Sequence, residues 1–294
     1  MRKISRVPRL PTRDPADHKG RFGHVLIVGG AVGMSGSVAL AGRAASRGGA
    51  GLVTIATTEH NQPIVAALVP EALTVPLPQR ADGRINPLAA SAVLEKSVGT
   101  WTVLAAGCGW GTADKNFAVQ SLTTLRGLAK HIGGPTVLDA DGLNLLSQTD
   151  SLRKNPWPGP LVLTPHPGEM ARLLGCSTEA VQADRLKTAC AAVTQLHASV
   201  VVLKGAGTIV TDGQRYYVNT TGNPGMATGG TGDVLTGLLA ALLAQHLEPF
   251  DAAVLAVYLH GLAGDLAAKK VGQVSLIAPD LLDCLSPAIL QSQR

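Results

Sequence analysis

Six short runs of aliphatic and β-branched residues recur along the chain, each closing on Gly, Ala, Asp, His or Thr. They are "HVLIVGG" from His24, "GLVTIAT" from Gly51, "WTVLAAG" from Trp101, "TVLDAD" from Thr136, "LVLTPH" from Leu161 and "VVVLKGA" from Val200. Runs with no polar alternation belong to strands covered on both faces, the pattern of a parallel sheet. Between them, apolar residues at three- and four-residue spacing predict helices over Ser35 to Ala45, Asn116 to His131 and Thr178 to His197. Strands alternating with helices predict an α/β fold, a doubly wound three-layer α/β/α sandwich around a mostly parallel sheet. After Lys204, "TIVTDGQRYYVN" reads as two short strands about Asp212-Gly213, a hairpin turn. A long apolar helix then opens at Gly232-Asp233. No linker, repeat or low-complexity tract divides the chain, which predicts one domain over 18–294 behind a leader, loose or lying at a sheet edge, over 1–17.

Composition narrows this picture. With 294 residues and 46% hydrophobic content the chain can bury a large core. The 34 glycines and 3% aromatic residues suit tight turns between strands and closely packed helices. The net charge of +5 comes from scattered Lys and Arg, which argues against a nucleic-acid groove and is compatible with an anionic small molecule. Four cysteines, Cys108, Cys176, Cys190 and Cys284, form no metal-type spacing. The basic N-terminus lacks an apolar signal core, and the apolar run from Val234 to Ala244 is too short to span a bilayer. The expectation is a cytoplasmic protein without membrane contact.

In open parallel sheets ligands bind beyond the carboxyl ends of the strands, and five such ends carry unusual chemistry. "GGAVGMSGS", Gly29 to Ser37, has glycines spaced by three and lacks both GK[ST] and a good GxGxxG, so a tight turn and a ligand loop both fit. "AAGCGWG" ends a strand in a glycine cluster, Gly107 to Gly111, that lets a ligand approach the backbone. In "LDADGLN", Asp139 and Asp141 point the same way if the strand continues. One can cap the next helix and the other can hold a metal through water or a ribose hydroxyl. In "LTPHPGEMARLL" two prolines restrict His166, a turn residue or a site residue, and Glu169 suits the first turn of a helix. Lys204 in "VVLKGAGTIV" leaves a fully apolar strand beside Gly205 and Gly207, either as an anion cradle or as a lysine snorkelling to solvent.

The sixth stretch, "MATGGTGDVLTGLLAALLAQ", places Gly229, Gly230, Thr231 and Gly232 immediately before Asp233 at a helix start. Backbone amides there form a nest for a phosphate or a developing negative charge. A simple helix cap would account for Asp233 but not for the glycines. The chemistry that uses both parts is phosphoryl transfer to a hydroxyl, with Asp233 accepting the proton and the nest holding the phosphoryl group.

"HKGRFGHVLIVGG", "SRGGAGLVTIAT", "LDADGLNLL", "LTPHPGEMARLLG", "LKGAGTIV" and "NTTGNPGMATGGTGDVLTG" occur in this order, and the matching region runs from about His18 to about Asp265. Together with "AVYLHGLAGD" they resemble the ADP-dependent NAD(P)H-hydrate dehydratase family of the ribokinase-like superfamily. The resemblance implies that Asp233, with Gly230, Thr231 and Gly232, is catalytic. It implies adenine-nucleotide binding by Lys204, Gly205, Ala206, Gly207, Thr208 and Gly232. Ser37, Gly109, Asp141, His166, Asn223 and Asp233 would contact the hydrated NADH or NADPH. ADP would be the phosphoryl donor, with Mg2+ offsetting phosphate charge and no residue assigned as a metal ligand. The family's usual proline between two glycines is Cys108 here. The resemblance further implies a stand-alone dehydratase working beside a separate NAD(P)H-hydrate epimerase, and a homo-oligomer such as a tetramer. A vitamin-precursor kinase of the same superfamily and a non-catalytic nucleotide-binding module are the competing readings.

Overall fold

The computed structural model describes residues 1–96, 101–153 and 155–293. In chain order the first half holds β1 (Arg2–Lys3), β2 (His24–Val28), α1 (Ser35–Arg47), β3 (Leu52–Thr58), α2 (Gln62–Leu68), β4 (Leu73–Leu77), α3 (Pro87–Lys96), β5 (Val103–Ala106), α4 (Lys115–Ile132) and β6 (Thr136–Leu138). Then come α5 (Asp141–Ser147), α6 (Asp150–Arg153), β7 (Leu161–Leu163), α7 (Pro167–Leu174), α8 (Thr178–Ala183), α9 (Arg185–Gln195) and β8 (Val200–Leu203). β9 (Ile209–Thr211), β10 (Arg215–Val218), α10 (Thr231–Ala244), α11 (Pro249–Val271) and α12 (Ala278–Ser292) complete the chain.

The strands form one sheet in the order β1-β10-β9-β8-β7-β6-β5-β2-β3-β4. Every pairing is parallel except those that β9 makes with β8 and β10, so the expected mostly parallel sheet and its hairpin are both present. Successive residues of a strand face opposite sides, and this alone sorts the core into two layers. Val25, Ile27, Val103, Ala105, Val200 and Val202 pack against α1, α10, α11 and α12. Leu26, Val28, Leu104, Ala106, Val201 and Leu203 pack against α3, α4, α5, α7 and α9. The chain winds from β2 outward through β3 to β4, then returns to the other side of β2 at β5. β2 leads to α1 on one face of the sheet and β5 to α4 on the other, the reversal of winding beside which open parallel sheets bind ligands in a crevice.

Two elements differ from expectation, and the N-terminal segment takes the sheet-edge arrangement of the two expected for it. The helix predicted over Thr178 to His197 is two helices, because Asp184 leaves helical geometry at φ −148° and its side chain accepts from the Lys187 amide to start α9. β4 escapes a reading of runs because Pro76 interrupts it, which only an edge strand tolerates. Within the predicted leader, Arg2–Lys3 pair with β10, and Ile4, Val7 and Leu10 pack on the core. The apolar length expected from Val234 to Ala244 is exceeded by α11, whose 23 residues are long and apolar enough to cross a membrane by length and composition. In this fold 67% of its apolar window is buried.

α1 and α10 pack side by side on one face of the sheet, and they cross at Gly237. A Cβ there would stand 1.9 Å from the Ala41 carbonyl oxygen. Gly237→Ala gains up to about 1 kcal/mol of helix propensity but forces two backbones apart, an overpacking cost of about 1–3 kcal/mol or more. We expect a net loss of stability, seen as a lower Tm; a Tm equal to or above the parent would refute the close crossing.

Candidate active site

α10 starts without a side-chain cap. Its N-cap is Gly230 at φ +90°, a conformation that favours glycine, and Thr231, Gly232 and Asp233 form its first turn. Amides in a first turn have no carbonyl one turn earlier to receive them. Asp114, His166, Ser177, Asp184 and Glu248 cap α4, α7, α8, α9 and α11 through their side chains, whereas α1, α2 and α5 share with α10 a start without one. The space that a side chain at Gly229 or Gly36 would fill is open. The amides at this helix start thus border solvent and remain available to an anion.

Asp233 is three residues past the cap and is not the cap itself. Burial pushes its carboxyl up from 3.8 to about 6; hydrogen bonds from the Cys108 thiol and Ser37 hydroxyl and the Lys204 charge oppose that rise, while the Asp139 charge adds to it. Burial, followed by the charges of Asp233 and Asp139, pushes the Cys108 thiol well above its ordinary range. Cys108 therefore stays protonated and acts on Asp233 as a donor. A carboxylate with this elevated affinity for a proton is suited to accept one near neutral pH.

Beneath the first turn of α10 lies a buried charge network. Lys204 Nζ donates to Asp139 Oδ1 at 2.6 Å and stands 3.8 Å from Glu169 Oε2. Thr236 Oγ1, one turn inside α10, donates to Asp139 Oδ2 at 2.7 Å. A Cβ on Gly232 would lie 3.6 Å from Lys204 Nζ and 3.7 Å from Asp139 Oδ2. Burial alone would raise Asp139, but the Lys204 charge and hydrogen bonds from Lys204, Thr236 and Thr164 outweigh it and hold the acid low. Lys204 is raised in turn: burial opposes its charge, and Asp139 and Glu169 more than offset that. Burial raises Glu169. The lysine is therefore neither a snorkelling cation nor a free anion trap, because its charge is already shared when it reaches the cradle floor.

The two aspartates after β6 do not point the same way, because the strand stops at Leu138. Ala140 turns the chain at φ 47°, ψ −118°, a strained geometry for a residue with a Cβ. Asp139 goes down to Lys204, and Asp141 Oδ2 instead accepts from the Gly111 amide at 2.8 Å. Gly107, at φ +117°, lies against this turn, where a Cβ would be 2.0 Å from the Asp139 carbonyl oxygen. Asp141 thus holds the glycine cluster in place; no metal-binding group of three or more His, Cys, Asp or Glu occurs among the described residues.

The Gly29 to Ser37 loop is fixed by its backbone. Gly30 N donates to Cys108 O at 3.1 Å and Ala31 N to Gly109 O at 2.6 Å. Thr57, Thr58 and the buried Asn61 all donate to the Gly30 carbonyl. Gly109 packs on Met34, so this loop and the glycine cluster form one surface, and Ser37 acts on Asp233 as a donor that lowers its pKa.

His166 caps α7. Its Nδ1 accepts from the amides of Gly168 at 3.0 Å and Glu169 at 3.3 Å, which puts the neutral ring's proton on Nε2. That Nε2 faces Glu169 Oε1 at 3.5 Å, and half the side chain is exposed. Burial, then the Lys204 and Arg172 charges, lower its pKa. Gly205, Ala206 and Gly207 form an exposed turn, with Gly205 at φ +132° and Gly207 at φ +61°, and Thr208 Oγ1 closes it on Gly205 O at 2.9 Å. Asn223 has both halves of its amide occupied: Nδ2 donates to Asp265 Oδ1 and Oδ1 accepts from Gly225 N, each at 3.0 Å. The structure gives it a loop-shaping role.

Asp139 and Glu169, read from the sequence as a strand-end acid and a first-turn charge, belong to the charge network under the helix, and Cys108, Thr236 and Asn61 lie around it without having been assigned by motif. Cys108 was legible as the departure inside the glycine cluster; nothing in the sequence around Asn61 or Thr236 marks either.

Comparison with known proteins follows this geometry. A family model described as NAD(P)H-hydrate dehydratase matches residues 25–287. The bifunctional NAD(P)H-hydrate repair enzyme of Moorella thermoacetica is 46% identical over 97% of this chain and 52% of its own length. The chain spans about half the length of the bifunctional curated relatives it matches. The ADP-dependent (S)-NAD(P)H-hydrate dehydratase of Neisseria meningitidis is 40% identical over 87% of this chain and 80% of its own. Among solved structures, the ADP/ATP-dependent NAD(P)H-hydrate dehydratase of Bacillus subtilis co-crystallised with ATP/Mg2+ superposes with a TM-score of 0.79. It shares 31% identity and the match covers 97% of this chain and 95% of that one.

Proposed function

Because the chain belongs to the NAD(P)H-hydrate dehydratase family, we propose that it restores hydrated NADH or NADPH to the reduced dinucleotide, using ADP as phosphoryl donor. The observation that carries this reading is the uncapped start of α10 with an acid of raised proton affinity one turn in, above a buried lysine. ADP transfers its terminal phosphoryl group to the hydroxyl that hydration placed on the nicotinamide ring, and AMP leaves. Asp233 accepts the hydroxyl proton, and the amides at Gly230 to Asp233 receive the negative oxygens. Electron push from the ring nitrogen then breaks the C–O bond and expels phosphate, which carries off the hydroxyl oxygen, and loss of a proton from the adjacent ring carbon to solvent restores the double bond.

The remaining assignments follow the same geometry. The exposed Gly205–Thr208 turn offers its backbone to the adenine nucleotide, and Lys204 with Gly232 lies where that turn meets the cradle. Ser37, Gly109, Asp141 and His166 border the crevice for the hydrated ring and its ribose, with Asn223 shaping the next loop. Mg2+ bound to the nucleotide supplies charge neutralisation, which suits a site where Asp139, Glu169 and Asp233 face one lysine; phosphate oxygens would supply its protein-independent ligands. We read residues 18–294 as one working unit, a homo-oligomer in the cytoplasm that acts beside an epimerase.

Purified protein incubated with hydrated NADH and ADP is expected to regenerate the near-ultraviolet absorbance of the reduced nicotinamide, with equal AMP and phosphate. No recovery with ADP or ATP would sink the proposal and favour a kinase or a binding module. The rate should also depend on pH through Asp233. Its raised pKa means that the base is ionised above about 6 and protonated below, so turnover should fall about tenfold per pH unit below 6. A profile flat down to the ordinary carboxylate range near ~4 would remove Asp233 as the base.

A further inference from the structure

The segment from Asn219 to Thr231, which delivers the cradle to its place, rests along one face of α11. Asn219 Nδ2 donates to Val257 O at 3.0 Å, and Thr221 Oγ1 to Tyr258 O at 2.9 Å. Asp265 accepts from Gly222 N at 2.9 Å and from Asn223 Nδ2 at 3.0 Å. His260 Nε2 meets the Thr231 carbonyl at 2.8 Å. A carbonyl can only accept, so the ring's proton is on Nε2. The approach is close enough that helix glycines are required: a Cβ at Gly261 would be 2.2 Å from Thr221 Oγ1, and one at Gly264 2.2 Å from Met226 Sδ.

Apart from those of Asp233 itself, the side-chain hydrogen bonds at the cradle's turn among the described residues are its own and the one from His260. Thr231 Oγ1 donates to Met226 O and Thr228 O, both at 3.0 Å, which ties the turn to itself and not to the body of the protein. A Cβ on Gly230 would meet Leu40 and Ala278, both apolar, and one on Gly229 would point into open space. His260 is thus the polar link between the rigid helix and the first residue of α10, and Asp265 is the corresponding link at the far end of the loop.

We infer that α11 is the register plate of the phosphoryl site, with His260 and Asp265 as positioning residues that fix where the amides of Gly230 to Asp233, and the Asp233 carboxylate, stand. This rests on the phosphoryl-transfer reading above for its catalytic consequence, though not for the fastening itself. Both act through the backbone they hold. Burial lowers the His260 pKa to about 4, so near neutral pH the ring is a neutral donor. Because a displacement of about 1 Å can cost about a hundredfold in rate, a small loosening here should be visible in kcat.

The test compares His260→Phe, which keeps the ring but loses the donor, with His260→Gln, which restores an N–H. In His260→Phe, amide hydrogen exchange at Gly229 to Asp233 should quicken about tenfold. kcat should drop about 10- to 100-fold with a smaller change in KM, and His260→Gln should recover most of both. Exchange in the parent should slow when ADP is added and respond less in His260→Phe. Unchanged exchange and kcat in a folded His260→Phe would overturn the inference, as would faster exchange without any loss of kcat in an active enzyme. If His260→Phe does not fold, Asp265→Asn carries the test: it replaces one of two acceptors, and faster exchange from Gly222 to Thr231 with reduced kcat is expected. Parent-level values there would count against the proposal. Should the parent itself fail to dehydrate the hydrated dinucleotide, the exchange and ADP-protection arms still decide the fastening, and the functional reading fails separately.

Discussion

Replacing Asp233 by Asn is expected to lower kcat by about a thousandfold or more while leaving ADP affinity within about threefold. The amide keeps the size of the carboxylate and one acceptor oxygen for Ser37 or Cys108, and the backbone amides of the helix start are unchanged. Only the capacity to take a proton disappears. The same change should stabilise the fold near neutral pH. A carboxyl raised from 3.8 to about 6 is disfavoured when ionised in the folded state by roughly 3 kcal/mol, which Asn removes. The penalty is complete above the folded pKa and vanishes below the unfolded one, so the gain in Tm should shrink as pH falls through 6 toward 4. Full activity would eliminate the base, and a Tm below that of the parent at neutral pH would show that Asp233 is structural.

Asp139→Ala should be among the most destabilising single changes in the molecule, about 3–5 kcal/mol. The acid is buried, accepts from Lys204 and Thr236, and shares the lysine charge with Glu169. Removing it leaves an ammonium and a hydroxyl without their acceptor in a place that water scarcely reaches. A Tm fall on the order of 10 °C or more is expected. Asp139→Ala combined with Lys204→Met should lose less stability than Asp139→Ala alone, since the stranded ammonium is gone and Glu169, already raised by burial, can take a proton. If the double variant loses the sum of the two single losses, the ion pair has no coupling and the network is not what holds α10 to the sheet. Lys204→Ala alone strands the acid in the same way, so a change in its nucleotide affinity would not by itself measure the cradle.

The strands that build the site were readable because burial on both faces leaves an uninterrupted apolar run, as in β2, β5 and β8. β4 was not, because Pro76 breaks the run at an edge where the missing N–H costs little. The uncapped start of α10 was visible as glycines ahead of Asp233, since a nest of amides requires small residues in consecutive positions. His166 was visible between its prolines, but its use of Nδ1 as a cap was not, because capping depends on how the α7 amides turn back to meet it.

What the chain determines by itself is local: which segments are strands, where glycines permit positive φ, and which polar residues end a strand at the carboxyl edge. The period of the pattern and the chemistry of each residue suffice for that. The tertiary structure alone decided the partners. Asp139 and Asp141 are the same residue type two positions apart, and the turn at Ala140 sent one to Lys204, 65 residues later, and the other to Gly111. Which acid is neutralised, which fixes a loop and which remains to take a proton depends on how the sheet orders β5, β6, β7 and β8 and lays α10 across them. Electrostatic and hydrogen-bond energies depend on distance through space, and distance along the chain does not contain it.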